Sequence, residues 1–565
     1  MAPGSFLLAE ELFQQSDPAF VGELIRCGGG KQLKRFAVKW AATKGGFARA
    51  TRLDLADRAI AEGHARVLVK TLFKAAEQRG DDVEVTHHLV AFDRHVTRRT
   101  QQVRIWDGDA RTSSSIWRRD LVRRRRPGNP WEWQGPPEWF STSTRYYLQR
   151  RALRYLRRLG QESPARFLNA ALLALSLYDD EHFPAVDSIL DCRSLCLLLY
   201  GRAEGLWKTG RRLDLQNGYT LSELRPAPMF DGAWRSATAF EPLLMLVVSA
   251  PAGFVRGWCV SWLRLAHEER LVALPLERLR PLLASPHGEA QALGAELLDR
   301  VETWGQLPVE GWLELLRLDN TQALIKLARL MERHVTPDRL SLAQCLELSQ
   351  SRVRLIAELG LRWAMDKGLA EDDAITAANA LADAENENVR RRGMDWLRPR
   401  LSDKKRSLLL RDLVDSRHPD VRRVALDVSA AAPYTEDARV HAAMAESPYG
   451  DVTDALAERL KDWKGTFDES SLQHLWATIL LSARRGSRAK RKTLRVLAQR
   501  AVAQPDKAAD LLPLVAVALR SVREAERRAA LATLARAAFA DPELKTLIEE
   551  HIGELAFEEV EAAAG

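Results

Sequence analysis

The chain has 565 residues, of which 46% are hydrophobic and 28% are charged, and it carries a formal net charge of +8. This composition excludes a disordered chain, and the length allows either several globular domains or one long array of repeats. The longest apolar runs, such as residues 243–251, are too short to cross a bilayer, so we expect no contact with a membrane.

The cysteines and the N-terminal residues indicate the compartment. The cysteines number five and lie mostly in apolar helical stretches, which argues against a disulfide framework and favours a reducing compartment. Residues 1–11 lack both the basic segment and the long apolar segment of a secretory signal. We therefore expect a cytoplasmic protein.

Residues 1–97 predict helical repeats. Apolar or small residues at i, i+3, i+4 and i+7 form one face of a helix. This pattern occurs twice, 32 residues apart, at Leu33, Phe36, Ala37 and Trp40 and at Ala65, Leu68, Val69 and Leu72.

The helical pattern fails between residues 98 and 141, where Arg, Trp, Pro and Gly are frequent, and we predict an irregular Arg/Trp-rich insertion there. Residues 142–239 return to helical segments. Within them, residues 201–238 form a second irregular stretch, which we interpret as a loop or a short hairpin.

Residues 240–540 repeat one helical pattern, most clearly at His418 to Val428, where Val421, Val424, Ala425 and Val428 form the apolar face. Copies start 31 to 37 residues apart, at positions 255, 290, 321, 353, 389, 421, 452, 489 and 526. Such a period accommodates two helices and two turns, so each unit is predicted to be a helical hairpin that buries its apolar face by stacking on its neighbours. Small residues at the fifth position would let neighbouring helices approach closely: Gly294, Ala357, Gly393, Ala425 and Ala530. Residues 541–565 are acidic and are interpreted as a cap or tail.

Three sequence motifs link this array to a known class of repeat. The segments Asp420–Arg423, Asn388–Arg391 and Arg352–Arg354 resemble the second helix of HEAT-type repeats, including those of bacterial proteins. With the period, the resemblance predicts an all-α fold, a HEAT-like α-solenoid of stacked helical hairpins interrupted by the insertion. HEAT-type proteins are mostly scaffolds, and a few bacterial relatives bind or repair DNA. The resemblance implies a binding platform and identifies no catalytic residue.

Positive charge is concentrated in one part of the chain. Residues 98–158 contain 16 arginines, no lysine and five acidic residues, so the remainder of the chain is net acidic. Guanidinium groups bind phosphate in a bidentate manner and stack on bases, and nearby tryptophans could stack on unpaired bases. These residues are the predicted nucleic-acid contacts: Trp117, Arg118, Arg119, Arg123, Arg124, Arg125, Arg126, Trp131, Trp133, Arg150, Arg154, Arg157 and Arg158. The alternative is that the tryptophans anchor the insertion and the arginines form a solvated or protein-binding face.

A second basic block spans residues 484–500, with eight basic and no acidic residues. It lies at a predicted turn and the helix that follows, one face of which could follow a phosphate backbone. The contacts predicted here are Arg488, Lys490, Arg491 and Lys492.

Motifs for catalysis or metal binding are weak or absent. Gly28–Lys31 resembles a phosphate loop but lacks the required Ser or Thr, and neither a paired CxxC nor an HExxH motif occurs. The acidic cluster Asp179–His182 is more typical of a helix cap than of an acid–base pair. We expect no catalytic residue, metal, cofactor or small-molecule substrate.

The sequence thus predicts a non-enzymatic scaffold that binds nucleic acid through arginine-rich surfaces, alone or as a subunit of a larger assembly with a protein partner. A purely protein-binding scaffold is the main alternative. A repeat-based DNA-processing enzyme, such as a glycosylase, is a third.

Overall fold

The structure is a computed structural model that describes residues 4–58, 65–94, 98–107, 112–121, 140, 142–183, 189–209, 212–216, 219–401, 407–461, 469–482 and 488–557. For residues 98–107 and 112–121 only the backbone is described. The chain divides into two compact units, of which unit 1 comprises Met1–Thr303 with Leu318–Lys326 and unit 2 comprises Trp304–Arg317 with Leu327–Gly565.

Unit 1 is mainly helical, with two short strand pairs. Its helices are α1 (Phe6–Gln14), α2 (Ala19–Arg26), α3 (Lys31–Ala42), α4 (Gly46–Asp57), α5 (Arg66–Arg79), α6 (Asp82–Arg94), α7 (Thr142–Glu162), α8 (Pro164–Ser176), α9 (Arg193–Tyr200), α10 (Asp231–Trp234), α11 (Phe240–Ser249), α12 (Gly253–Ala266), α13 (Glu268–Val272), α14 (Leu276–Leu283) and α15 (Gly288–Leu297). Its strands are β1 (Arg98–Asp107), β2 (Thr112–Leu121), β3 (Leu206–Thr209) and β4 (Arg212–Leu215).

Unit 2 consists, in its described residues, of helices joined by turns and loops, with no strand among them. It contains α16 (Val309–Leu316), most of α17 (Thr321–His334), α18 (Leu342–Ser349), α19 (Arg354–Lys367), α20 (Ala374–Ala382), α21 (Glu387–Leu401), α22 (Ser407–Val414), α23 (Pro419–Ser429), α24 (Ala438–Glu446), α25 (Gly450–Arg459), α26 (Glu469–Leu481), α27 (Arg488–Ala503), α28 (Ala508–Leu519), α29 (Glu524–Ala540) and α30 (Pro542–His551). The all-α prediction is confirmed. Among the described helices, none has both the length and the apolarity that crossing a bilayer requires.

Within each unit the helices form two layers. In unit 1, α3, α5 and α7 contact one another in succession, as do α2, α4, α6 and α8. In unit 2, the even-numbered helices from α18 to α30 form one such row and the odd-numbered helices from α19 to α29 form the other. The copies of the pattern that start at 255 and beyond fall on second helices of hairpins. Those at Leu33 and Ala65 fall on the first helices α3 and α5.

The insertion differs from the prediction, because part of it is not irregular. Strands β1 and β2 pair antiparallel, with Arg98 opposite Leu121 and Asp107 opposite Thr112. The segments Val103–Trp106 and Ile116–Trp117 contain the β-branched and aromatic residues that favour strands, a signal that the search for helical periodicity did not weigh. The second irregular stretch contains the short β3–β4 hairpin, one of its two predicted forms.

Close packing between layers depends on the small residues at the fifth position of the repeat. A Cβ atom added at Gly294 would lie 3.0 Å from the Leu283 side chain, and one added at Gly393 would lie 3.0 Å from Leu381. Ala357, Ala425 and Ala530 are fully buried. The predicted close approach of neighbouring helices is therefore present at these positions.

Buried arginines connect successive hairpins, and we call the set Arg52, Arg256, Arg390 and Arg422 the arginine ladder. Each side chain is at most 9% exposed and pairs with a carboxylate on the equivalent helix of the next hairpin: Glu84 at 2.7 Å, Glu289 at 3.0 Å, Asp420 at 2.9 Å and Asp451 at 2.9 Å. Each Nη1 also donates to backbone carbonyls that end the preceding helix or turn, as in the 2.7 Å bond from Arg390 to Ala384. This geometry explains the Asp-Val-Arg motif at 420–422. Asp420 accepts a hydrogen bond from Arg390 of the preceding hairpin, and Arg422 donates one to Asp451 of the following hairpin.

We predict that Arg390→Met lowers the free energy of unfolding of the protein by about 3 kcal/mol or more, because Asp420 and two carbonyl oxygens lose their donor in a buried site. Denaturant unfolding followed by circular dichroism measures the change. The neighbouring Arg391→Ala is the control, since Arg391 is exposed, and should change stability by less than about 0.5 kcal/mol. An equal effect of the two substitutions would contradict a structural role for the ladder.

Candidate nucleic-acid interface

The predicted contacts in the insertion are only partly described. Arg123, Arg124, Arg125, Arg126, Trp131 and Trp133 lie outside the described residues. Trp117, Arg118 and Arg119 lie on β2, where their backbone pairs with Gln102, Gln101 and Thr100 of β1.

Helix α7 places four predicted arginines on one exposed face. Arg150, Arg154, Arg157 and Arg158 are exposed, and their spacing of four, seven and eight residues puts them on the same side of a helix. The opposite side packs into unit 1 through buried residues, among them Leu148, Ala152, Tyr155, Leu156 and Leu159. The apolar stripe predicted for this helix is therefore buried, and the four arginines lie on its exposed side.

The same layer of unit 1 carries further exposed cations that the sequence search did not single out. Helices α3, α5 and α7 contain four, four and six basic residues but none, one and one acidic residue. Four exposed or half-exposed cations of this layer are engaged by other helices or loops: Lys39 pairs with Glu10, Arg79 with Glu84 and Arg151 with Glu77, and Arg145 donates to the Asp191 carbonyl. We call the remaining exposed or half-exposed cations of this layer the basic face: Lys31, Lys34, Arg35, Arg66, Lys70, Lys74, Arg150, Arg154, Arg157 and Arg158. A charge count for each helix would have found the additional residues.

The basic face has little internal neutralisation. Among the described residues, only Arg158 of this set has a carboxylate within ion-pair distance, Glu162 at 3.9 Å. The other layer differs, since α2, α4, α6 and α8 contain five basic and six acidic residues, and ion pairs such as Arg166 with Asp82 at 2.8 Å connect them. Positive charge in this part of unit 1 is therefore segregated to one layer.

An exposed tyrosine lies where α5 and α7 meet. Tyr147 is 43% exposed, and its hydroxyl accepts a hydrogen bond of 2.9 Å from Arg151, which also pairs with Glu77 of α5. The hydrogen bond and charge of Arg151, together with the charges of Lys74 and Arg154, lower the pKa of Tyr147. An aromatic ring held among cations is the arrangement that single-strand binding sites use to stack a base.

The second predicted block is divided by the fold of α27. Arg488 and Arg491 are exposed, as is the neighbouring Arg495. Lys490 is only 4% exposed, donates to the Ser482 carbonyl at 2.7 Å and lies 3.6 Å from Glu526, so its predicted place on a binding surface is wrong. Lys492 pairs with Glu458 of the preceding hairpin at 2.7 Å. The helical spacing explains the division, because positions 490, 493, 494 and 497 form the buried face.

The acidic clusters of unit 1 have structural partners. Asp180 accepts a hydrogen bond of 2.7 Å from the Gly253 amide at the start of α12, as expected for a helix cap. The side chain of Asp93 is buried and accepts from the amides of Ser194 and Leu195 at the start of α9. Burial raises the pKa of Cys196 to about 12, which keeps this thiol protonated. In the part of the chain that is described, no cluster of three His, Cys, Asp or Glu side chains is placed to hold a metal ion.

Comparison with known proteins finds no matching family model and no matching curated protein. Two solved structures are similar over most of the chain. One is an engineered protein, 13% identical over 89% of this chain and 98% of its own length, with a TM-score of 0.17. The other belongs to a study of a conserved phosphorylation switch that controls the interaction between cadherin and beta-catenin, and is 14% identical over 92% of this chain and 99% of its own, also with a TM-score of 0.17. At this TM-score neither likeness establishes a shared fold.

We predict that Lys490→Ala lowers the free energy of unfolding by about 1–3 kcal/mol, because a buried cation with a carbonyl and a carboxylate partner is removed. Arg491→Ala, the exposed neighbour, is the control and should be nearly neutral. Chemical denaturation of the two variants measures the difference. If the Arg491 variant lost stability and the Lys490 variant did not, the structural role given to Lys490 would be contradicted.

Proposed function

We propose that this protein is a non-enzymatic, HEAT-like scaffold that binds nucleic acid through the basic face of α3, α5 and α7. The observation that carries the proposal is the row of exposed cations on one helix layer, nine of which have no carboxylate partner among the described residues. Such unneutralised positive charge attracts a polyanion. Binding releases counterions from the polyanion, so the affinity falls steeply as the salt concentration rises.

The fold supports the HEAT-like part of the proposal through three features. The repeat period is 31 to 37 residues, the dipeptide Val-Arg recurs at 255, 353, 389 and 421, and the arginine ladder connects equivalent helices of successive hairpins. Repeat arrays of this kind expose long surfaces and contact extended ligands. A strand lying across α3, α5 and α7 would meet successive rows of cations about 8–10 Å apart, the usual distance between packed helices.

A protein-binding scaffold is the second candidate, and a groove in unit 2 favours it. The groove has a volume of about 180 Å³ and is lined by Ala328, Arg329, Glu332, Leu355, Glu358, Leu359, Arg362 and Arg392. Leu355 is 40% exposed, and Arg362 pairs with Glu332 at 2.6 Å across successive hairpins. Mixed charge around an exposed leucine suits a peptide segment better than a polyanion.

We predict that replacing Lys70, Arg154 and Arg157 together by glutamine weakens binding of a single-stranded oligonucleotide at low salt and reduces the slope of log K against log salt by about 2, since each lost phosphate contact lowers that slope by about 0.7. Fluorescence anisotropy at several salt concentrations measures both quantities.

The matched control replaces Lys326, Arg362 and Arg398 by glutamine. These cations pair with Asp299, Glu332 and Asp427, so the same number of charges is removed from neutralised positions. The control should leave the salt slope nearly unchanged. Absence of oligonucleotide binding by the unaltered protein at low salt would refute the nucleic-acid proposal and leave the protein-binding scaffold.

The contribution of the insertion is tested separately. We predict that replacing Arg123, Arg124, Arg125 and Arg126 by glutamine abolishes oligonucleotide binding at moderate salt, because four consecutive guanidinium groups are lost. The same anisotropy measurement applies. Unchanged affinity would restrict the interface to the helical basic face.

A further inference from the structure

One buried arginine of unit 1 stands apart from the ladder. Among the described residues, five arginines are buried, and four of them are the ladder residues with carboxylate and carbonyl partners. The fifth is Arg193, the first residue of α9, which is 8% exposed. Its Nε and Nη1 atoms are buried and have no hydrogen-bond acceptor among the described residues. A buried guanidinium without a hydrogen-bond acceptor is costly, and among the described residues the contrast with the ladder leaves a place for an anion.

The nearest carboxylate does not serve as that anion. Asp93 is fully engaged by the amides of Ser194 and Leu195 at 2.9 and 3.0 Å, by the Tyr178 hydroxyl at 2.9 Å and by the Gln149 amide group at 2.6 Å. These donors hold its two oxygens at the start of α9. Asp93 therefore caps the helix, and its charge reaches Arg193 only through space.

A second guanidinium lies against the same aromatic ring as Arg193. The Arg193 guanidinium carbon lies 5.0 Å from the centre of the Tyr146 ring, and that of Arg150 lies 5.6 Å from it. Burial lowers the pKa of Arg193, and the positive charge of Arg150 acts in the same direction. Arg150 is exposed and belongs to the basic face, so the buried cation lies next to the proposed path of a strand.

A small part of Arg193 is accessible, since the residue is 8% exposed. Nε and Nη1 are shielded, whereas Nη2 is not among the shielded atoms and donates no hydrogen bond within the described part of the chain. An anion that contacts Arg193 would also feel the charge of Arg150, because both guanidinium groups lie against the Tyr146 ring. Guanidinium groups bind phosphate oxygens through charge-assisted hydrogen bonds, and an arginine pair matches the charge of one phosphate.

We propose that Arg193, Arg150 and Tyr146 form a receptor for a single phosphate group. Where the phosphate belongs to a nucleic-acid strand, the inference rests on the proposed function and names the point at which the strand is anchored. The same chemistry accommodates free inorganic phosphate, and the experiment below separates the two sources.

The first experiment measures thermal unfolding in inorganic phosphate and in chloride at matched ionic strength. The unaltered protein is expected to melt several degrees higher in phosphate, because a ligand that binds only the folded state raises its melting temperature. Arg193→Met should remove this difference. In chloride the Arg193→Met variant should melt at the same or a higher temperature than the unaltered protein, the opposite of the Arg390→Met variant, because an unpaired buried charge is replaced by an apolar side chain.

Three results would overturn the receptor: no difference between phosphate and chloride, a phosphate effect that survives in Arg193→Met, or a loss of stability in chloride like that of Arg390→Met. Arg150→Gln provides a second variant that changes an exposed side chain and should fold normally. It should reduce the phosphate effect. Arg391→Gln, which changes an exposed arginine outside the basic face, should retain it in full.

The source of the phosphate is decided with two oligonucleotides of one sequence, one with a 5′ phosphate and one with a 5′ hydroxyl. A gain of about tenfold in affinity from the 5′ phosphate, lost in Arg193→Met, identifies a strand terminus. Equal affinities that both fall in Arg193→Met identify an internal phosphate. A phosphate effect on melting with no effect of Arg193→Met on either oligonucleotide identifies a receptor for the free ion. The Lys70, Arg154 and Arg157 variant should lose oligonucleotide affinity but keep the phosphate effect, so the receptor and the proposed function can fail independently.

Discussion

The buried pairing of an arginine on one hairpin with a carboxylate on the next is the interaction on which the repeat structure depends. Apolar stripes drive the helices together without direction, whereas the guanidinium of Arg390 or Arg422 has to meet one carboxylate and the carbonyls of one turn. The pairing thereby sets how each hairpin is placed on its neighbour. The same two residue types on the surface would contribute little, because water and salt screen exposed ion pairs.

The cations of this protein differ in whether a carboxylate of a neighbouring helix pairs with them. The ladder arginines are neutralised inside the stack, and the exposed cations of unit 2 at Arg362 and Arg398 pair with acids of the neighbouring hairpin. Among the described residues, the ten cations of the basic face have no such partner apart from Arg158, which lies 3.9 Å from Glu162. Arg193 is buried like a ladder residue, but among the described residues its Nε and Nη1 atoms have no hydrogen-bond acceptor. That combination is the basis for assigning it a phosphate.

The helices predicted from periodicity agree with the structure, whereas the surface predicted from a run of charge in unit 2 agrees only in part. The apolar face of His418 to Val428 is buried at Val421, Val424, Ala425 and Val428, because a spacing of three and four residues leaves one side for the core. The run from 484 to 500 mixes exposed Arg491 with buried Lys490, because consecutive residues on a helix point in different directions. A charge run in the sequence therefore does not define a surface.

The sequence by itself determined the helical hairpins, their period, the small residues at the contacts and the outward face of α7, because each follows from the spacing of residue types along one helix and from the repetition of that spacing along the chain. Only the tertiary structure decided which cations are neutralised. Arg390 and Asp420 are 30 residues apart and Gln149 and Asp93 are 56 residues apart, and whether a charge finds its partner depends on which helices are brought together. The missing acceptor for Nε and Nη1 of Arg193 within the described part of the chain is such a property, since the residues next to Arg193 in the sequence do not indicate it.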